Sequence, residues 1–155
     1  MDQAPKPSRE SSPESLAQSC DRLGLGRIQR HLFLCCDQTK PKCCSQEDSL
    51  ASWDYLKRRL TELGIDAVQA SQDISVFRTK ANCLRVCQQG PILLVYPDGV
   101  WYRNVTPTAI EQILQDHILN NRPVEAYRFF SHCLPEPSTA AHADNGEASA
   151  IIPEI

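Results

Sequence analysis

Eight cysteines, at positions 20, 35, 36, 43, 44, 83, 87 and 133, dominate the chemistry open to this 155-residue chain. Thiolates are soft ligands for zinc and iron–sulfur clusters, and they act as redox centres where their pKa is lowered. Spacing narrows the choice. Two vicinal pairs, Cys35–Cys36 and Cys43–Cys44, stand six residues apart, and a C-x3-C pair, Cys83 and Cys87, follows about forty residues later. A thioredoxin-type dithiol needs C-x-x-C, which does not occur. Structural zinc usually takes two C-x2–4-C pairs, and only one pair here has that spacing. The plant-type iron–sulfur spacing is absent as well. Spacing alone therefore leaves a four-thiolate metal site, with iron–sulfur ahead of zinc. A thiol sensor built on a vicinal pair would need a strained disulfide and ranks last. His31, His117, His132 and His142 form no close pair with a cysteine, so they are set aside as ligands. No GxGxxG, P-loop, GxSxG or HExxH occurs, so nucleotide cofactors and the common hydrolytic machineries have no support.

The paired cysteines fall at the ends of predicted elements, where a fold can gather distant side chains. His31 to Cys35 (HLFLC) reads as a buried strand ending on the first vicinal pair. The loop DQTKPK leads to the second pair. A helix should follow, because Leu50, Trp53, Leu56, Leu60 and Leu63 recur at three- and four-residue steps. Ser45 with Asp48 resembles a capping box, and Gly64 is placed to end the helix. Unpaired N–H groups at such a helix start favour a thiolate at Cys44. Ile74, Val76 and Arg78 alternate as in a strand. The segment ANCLRVCQQGP is polar and turn-rich, a loop that carries Cys83 and Cys87. Ile92 to Tyr96, the turn Pro97-Asp98-Gly99 and Val100 to Tyr102 form a hairpin, and Pro107 opens a last helix with Ile110, Ile113, Leu114 and Ile118 on one face. The order β-α-β-β-β-α predicts an α/β layer arrangement. A short helix over 14–24, started after Pro13 and ended by Gly24 or Gly26, precedes it.

Composition sets the remaining bounds. The net charge is −3, from 16 Lys and Arg against 19 Asp and Glu, so bulk basicity gives no reason to expect nucleic acid. No apolar run nears the ~18 residues of a membrane span. The first residues lack an apolar export segment, so the cysteines are expected in the reducing cytoplasm. The charges are uneven. Residues 31–131 hold 11 basic and 11 acidic side chains, while the last twenty-four residues carry −4. The expected division is an amino-terminal extension over 1–28, disordered except for the short helix, one domain over 29–130, and a disordered acidic tail over 131–155.

HLFLC, the CCSQEDS segment entering the helix, and NCLRVCQQGPILLVYPDGVWY together resemble the thioredoxin-like 2Fe-2S ferredoxins. That family is related to the small iron–sulfur subunit of bacterial NADH dehydrogenases and hydrogenases. The resemblance covers residues 30 to 120, and its most specific part is C-x3-C followed by GP, a strand and YPDGVWY. It implies a thioredoxin-like fold and one 2Fe-2S cluster held by four cysteines, at the positions Cys35, Cys44, Cys83 and Cys87. Only eight residues separate Cys35 from Cys44, where many relatives have a longer loop, and each has a cysteine neighbour, Cys36 or Cys43, that could replace it. Side chains alternate along a strand, which favours one ligand per vicinal pair. Cys20 and Cys133 lie outside the resemblance and receive no role.

The implied function is one-electron transfer, not catalysis, between redox partner proteins, with a homodimer implied by the relatives. The alternative is a zinc-stabilised binding module that uses the same thiolates for structure. Arg85 reads as a solvated loop charge, and one of Trp101 and Tyr102 as core or dimer interface. Lys40, Lys42, Lys57, Arg58 and Arg59 read as a basic sector able to steer an acidic partner.

Overall fold

The computed structural model describes residues 15–68 and 74–132. The acidic tail from 133 onward, Cys133, His142 and the first fourteen residues lie outside that range. The first helix, α1 (Leu16–Leu23), begins at Ser15, whose hydroxyl accepts from the Gln18 N–H while the Gln18 side chain accepts from the Ser15 N–H. Gly24 ends it with a left-handed φ of 64°, a conformation glycine adopts without steric cost. A short 3-10 turn, Leu25–Arg27, leads on to the sheet.

Five strands form one mixed sheet: β1 (Arg30–Cys35), β2 (Val76–Ala81), β3 (Leu93–Tyr96), β4 (Val100–Tyr102) and β5 (Arg128–Ser131). Their spatial order is β2-β1-β3-β4-β5. Strand β2 runs parallel to β1, and the other neighbours are antiparallel. A parallel pair needs a crossover, and the helix α2 (Gln46–Glu62) provides it. Along β1 the side chains alternate: Leu32 and Leu34 are fully buried in the core with α2, while His31 and Phe33 stack ring to ring on the other side, 4.0 Å between centroids. That alternation carries through the strand end. It sends Cys36 into the hydrophobic core and Cys35 the opposite way.

Helix α2 starts where the sequence predicts. Ser45 accepts from the Asp48 N–H at 3.0 Å and donates to the Asp48 carboxylate at 2.6 Å. Its buried seam is rotated from the expected leucine stripe. Ser49, Ser52, Leu56 and Leu60 face inward, and Leu50, Trp53 and Leu63 flank them half-buried. The small serines let the first turns approach the sheet closely, and their hydroxyls bond the Gln46 and Asp48 carbonyls at 2.8 and 3.0 Å. Leu56 and Leu60 then supply the anchoring, about 1.5–3 kcal/mol each for full burial.

Thr106 caps α3 (Pro107–Gln112), which continues as a π-helical stretch, Ile113–Ile118. Ile110, Ile113, Leu114 and Ile118 are buried as predicted. Arg59 of α2 grips Glu111 of α3 through two bonds of 2.8 Å, and these bonds hold the Glu111 carboxyl down to about 2. Tyr102 is core: its hydroxyl bonds His117 Nδ1 at 2.8 Å and accepts the Val124 N–H at 3.1 Å. His117 Nε2 meets the Asp98 carboxylate at 3.2 Å, and Arg30 bonds the same carboxylate at 3.0 and 3.1 Å. Burial holds His117 below its ordinary pKa, so this ring is a neutral member of a polar core. Strand β5 was not expected. It pairs with β4 around an irregularity at Trp101/Tyr102 and leaves Phe129 and Phe130 exposed. No helix of the described residues is long and apolar enough to cross a membrane.

Candidate metal centre

Three segments meet at the carboxyl end of β1: the strand's own exit, the loop before α2, and the loop after β2. They enclose an open cavity of about 310 Å³ whose wall includes Cys35, Cys43, Cys83 and Cys87. Cys35 is 2 % exposed and its backbone N–H is tied to the Ile92 carbonyl at 2.8 Å, so its position is fixed by the sheet. Its sulfur lies 4.0 Å from that of Cys43, and the Cys83 and Cys87 sulfurs are likewise 4.0 Å apart. Cys44, the residue favoured by the resemblance, does not line the cavity, but its sulfur is 3.9 Å from that of Cys43. Cys36 is turned into the core, where burial raises its thiol pKa. Cys20 is exposed on α1.

The loop from Cys83 to Gln89 has no regular structure, as expected, and its backbone has an unusual form. Arg85, Cys87 and Gln89 have φ of 65°, 53° and 52°. Left-handed residues at every second position cost about 1–2 kcal/mol each, a cost tolerated where backbone must curl around a ligand. Within the curl the Arg85 N–H donates to the Cys83 sulfur at 3.2 Å. Arg85 itself is exposed, its contribution to the site being its backbone. Gly90 closes the loop against the second vicinal pair, its N–H bonding the Cys43 carbonyl at 3.1 Å. A Cβ at Gly90 would lie 2.5 Å from the Cys43 sulfur and 2.9 Å from its Cβ, so only glycine allows this approach.

Electrostatically the thiols are crowded. Burial, together with the neighbouring Cys35 and Cys44, pushes the Cys43 thiol up to about 12. The hydrogen bond shared between the Cys83 and Cys87 sulfurs, with some desolvation, raises the Cys87 thiol pKa. A bound cation would offset the mutual repulsion of thiolates so placed. Among the described residues no group of three or more His, Cys, Asp or Glu is gathered as for one metal ion. A single tetrahedral zinc with ~2.3 Å bonds needs all its thiolates mutually about 3.8 Å apart. Two close sulfur pairs, Cys35–Cys43 and Cys83–Cys87, stand in the wall of one cavity.

Of the expected basic sector, only Lys40 and Lys42 stand at the cavity. Lys57, Arg58 and Arg59 lie on α2 in ion pairs with Asp54, Glu62 and Glu111. Sequence reasoning missed Gln38. Its side chain is 4 % exposed, and its amide nitrogen reaches the sulfurs of Cys35, Cys43 and Cys44 at 3.3, 3.7 and 3.7 Å. A glutamine in a Lys/Pro-rich loop carries no pattern that announces burial.

A mixed sheet with helices packed on it, and cysteines at the ends of β1 and β2, makes the fold thioredoxin-like. Residues 25–117 match the profile of the thioredoxin-like 2Fe-2S ferredoxins, and the chain belongs to that family. It is 28 % identical over 102 residues to a 2Fe-2S ferredoxin of Aquifex aeolicus (strain VF5), covering 62 % of this chain and 85 % of that protein. Over 61 residues it is 43 % identical to a 2Fe-2S ferredoxin of Clostridium pasteurianum, covering 39 % of this chain and 58 % of that one. The solved structure of a thioredoxin-like 2Fe-2S ferredoxin from Aquifex aeolicus superposes with a TM-score of 0.57 at 26 % identity, covering 71 % of this chain and 98 % of that one. Membership in a ferredoxin family supports an electron-carrier role.

Proposed function

We propose that this chain carries one electron at a time on a single 2Fe-2S cluster held by Cys35, Cys44, Cys83 and Cys87. The observation that carries the reading is the convergence of the cysteine-bearing segments on one cavity, with sulfurs in close pairs, in a chain of this family. A second reading of the ligand set puts Cys43 in place of Cys44, and a specific observation favours it: Cys43 stands in the cavity wall beside Cys35.

When bound, the cluster would supply a one-electron couple in the range open to cysteine-ligated centres. The chain's part is to hold and insulate it. Strand β1 fixes Cys35, Gly90 lets the two loops touch, and the N–H of Arg85 spreads negative charge from the Cys83 sulfur onto the backbone. Lys40 and Lys42 line the open cavity and would steer an acidic redox partner, and the chain would act as carrier rather than enzyme, in the reducing cytoplasm. Kinship with the small subunit of NADH dehydrogenases and hydrogenases, and a homodimer, belong to the same proposal.

Reductive titration under anaerobic conditions tests the carrier role. The expected result is uptake of about one electron per chain, with the paramagnetic signal of a reduced binuclear centre. No uptake by iron-loaded protein would rule the carrier role out.

A further inference from the structure

We infer that Gln38 is a positioning and tuning residue of the metal centre: its amide N–H groups hydrogen-bond the ligand sulfurs and raise the centre's reduction potential. The inference rests on the cluster reading above and goes beyond its ligand set. A carboxamide has two N–H donors and one acceptor oxygen, and here every end is engaged. The nitrogen faces Cys35 at 3.3 Å and Cys43 and Cys44 at 3.7 Å each. The oxygen faces Ser49, whose hydroxyl shares its hydrogen between Gln38 Oε1 at 3.3 Å and the Gln46 carbonyl at 2.8 Å. Ser49 is fully buried in the first turn of α2 and also accepts the Asp37 N–H at 3.2 Å, so the amide is anchored from the helix side.

The orientation has a chemical reason. Sulfurs that bind metal are thiolates, and a carbonyl oxygen turned toward them would be repelled where an N–H is attracted. A buried primary amide with no partner is destabilising, so a glutamine at this position needs an acceptor, and three sulfurs supply it. Hydrogen bonds to ligand sulfur lower the electron density on the centre and favour its reduced, more negative state. Gln38 also reaches both members of the second vicinal pair at the same distance. Its effect therefore persists whichever of Cys43 and Cys44 binds.

The experiment is a redox titration of iron-loaded wild type, Gln38→Leu, Gln38→Glu and Ser49→Ala, each with iron and visible spectrum recorded. The expected result is a more negative potential in Gln38→Leu, a further negative shift in Gln38→Glu, and a smaller shift of the same sign in Ser49→Ala. An intact cluster with unchanged potential in Gln38→Leu would overturn the role of Gln38 and leave the carrier reading standing. Wild type that binds no iron–sulfur cluster would overturn both. Should the Gln38 variants fail to load, Ser49→Ala and the iron–sulfur stretching bands of wild type in heavy water decide. Bands that move on exchange, with a shifted Ser49→Ala potential, support the bond; unmoved bands overturn it.

Discussion

Alanine in place of Cys35, Cys83 or Cys87 should take bound iron from about two atoms per chain to near none, since the centre needs four thiolates and alanine offers no donor. Alanine serves better than serine here, because a serine oxygen can itself bind iron. The three variants should differ in their effect on folding. Cys83 and Cys87 sit on an exposed loop and contribute nothing to the core, so their loss should leave the stability of the iron-free chain within about 0.5 kcal/mol of wild type. Cys35 is buried at the end of a central strand, and its truncation should cost about 1 kcal/mol or slightly more. Iron content with denaturant unfolding of the same preparations checks both statements. Full iron retention in any of the three would remove that residue from the ligand set.

The second large effect concerns the vicinal pair at 43 and 44. Their sulfurs lie 3.9 Å apart and share one donor, the Gln38 amide, so each can take the other's place. Single alanine substitutions should therefore keep the cluster, while the double variant Cys43→Ala/Cys44→Ala should lose it entirely. One of the two single variants should change the visible and paramagnetic spectra, because its cluster must draw a new sulfur into place, and the other should match wild type. The variant that changes identifies the native ligand. Iron retained in the double variant would contradict a fourth ligand at either position.

The sequence revealed the site best where side-chain direction follows from a regular element. HLFLC is a strand, strands alternate, and so one of Cys35 and Cys36 had to face away from the other; the structure puts Cys36 in the core. The PDG hairpin and the Pro107 helix were legible for the same reason, as apolar runs bounded by turn residues. Legibility failed where no period operates. The loop from Asp37 to Cys44 is irregular, so nothing in the spacing tells which of Cys43 and Cys44 faces the cavity, or that Gln38 turns inward. Helix α2 misled in a different way. Its leucines mark the correct side of the helix, but close packing placed two serines at the centre of the seam. Strand β5 stayed hidden because RFFS is short and mostly exposed, and its pairing with β4 is set by tertiary context.

Iron, zinc and acid-labile sulfide, counted per chain on anaerobically purified protein, test the central claim most directly. The account predicts about two irons and two sulfides per chain, no zinc, and a brown-red colour. One zinc per chain with no sulfide, in a colourless protein, would contradict it and leave the four thiols as a structural metal site.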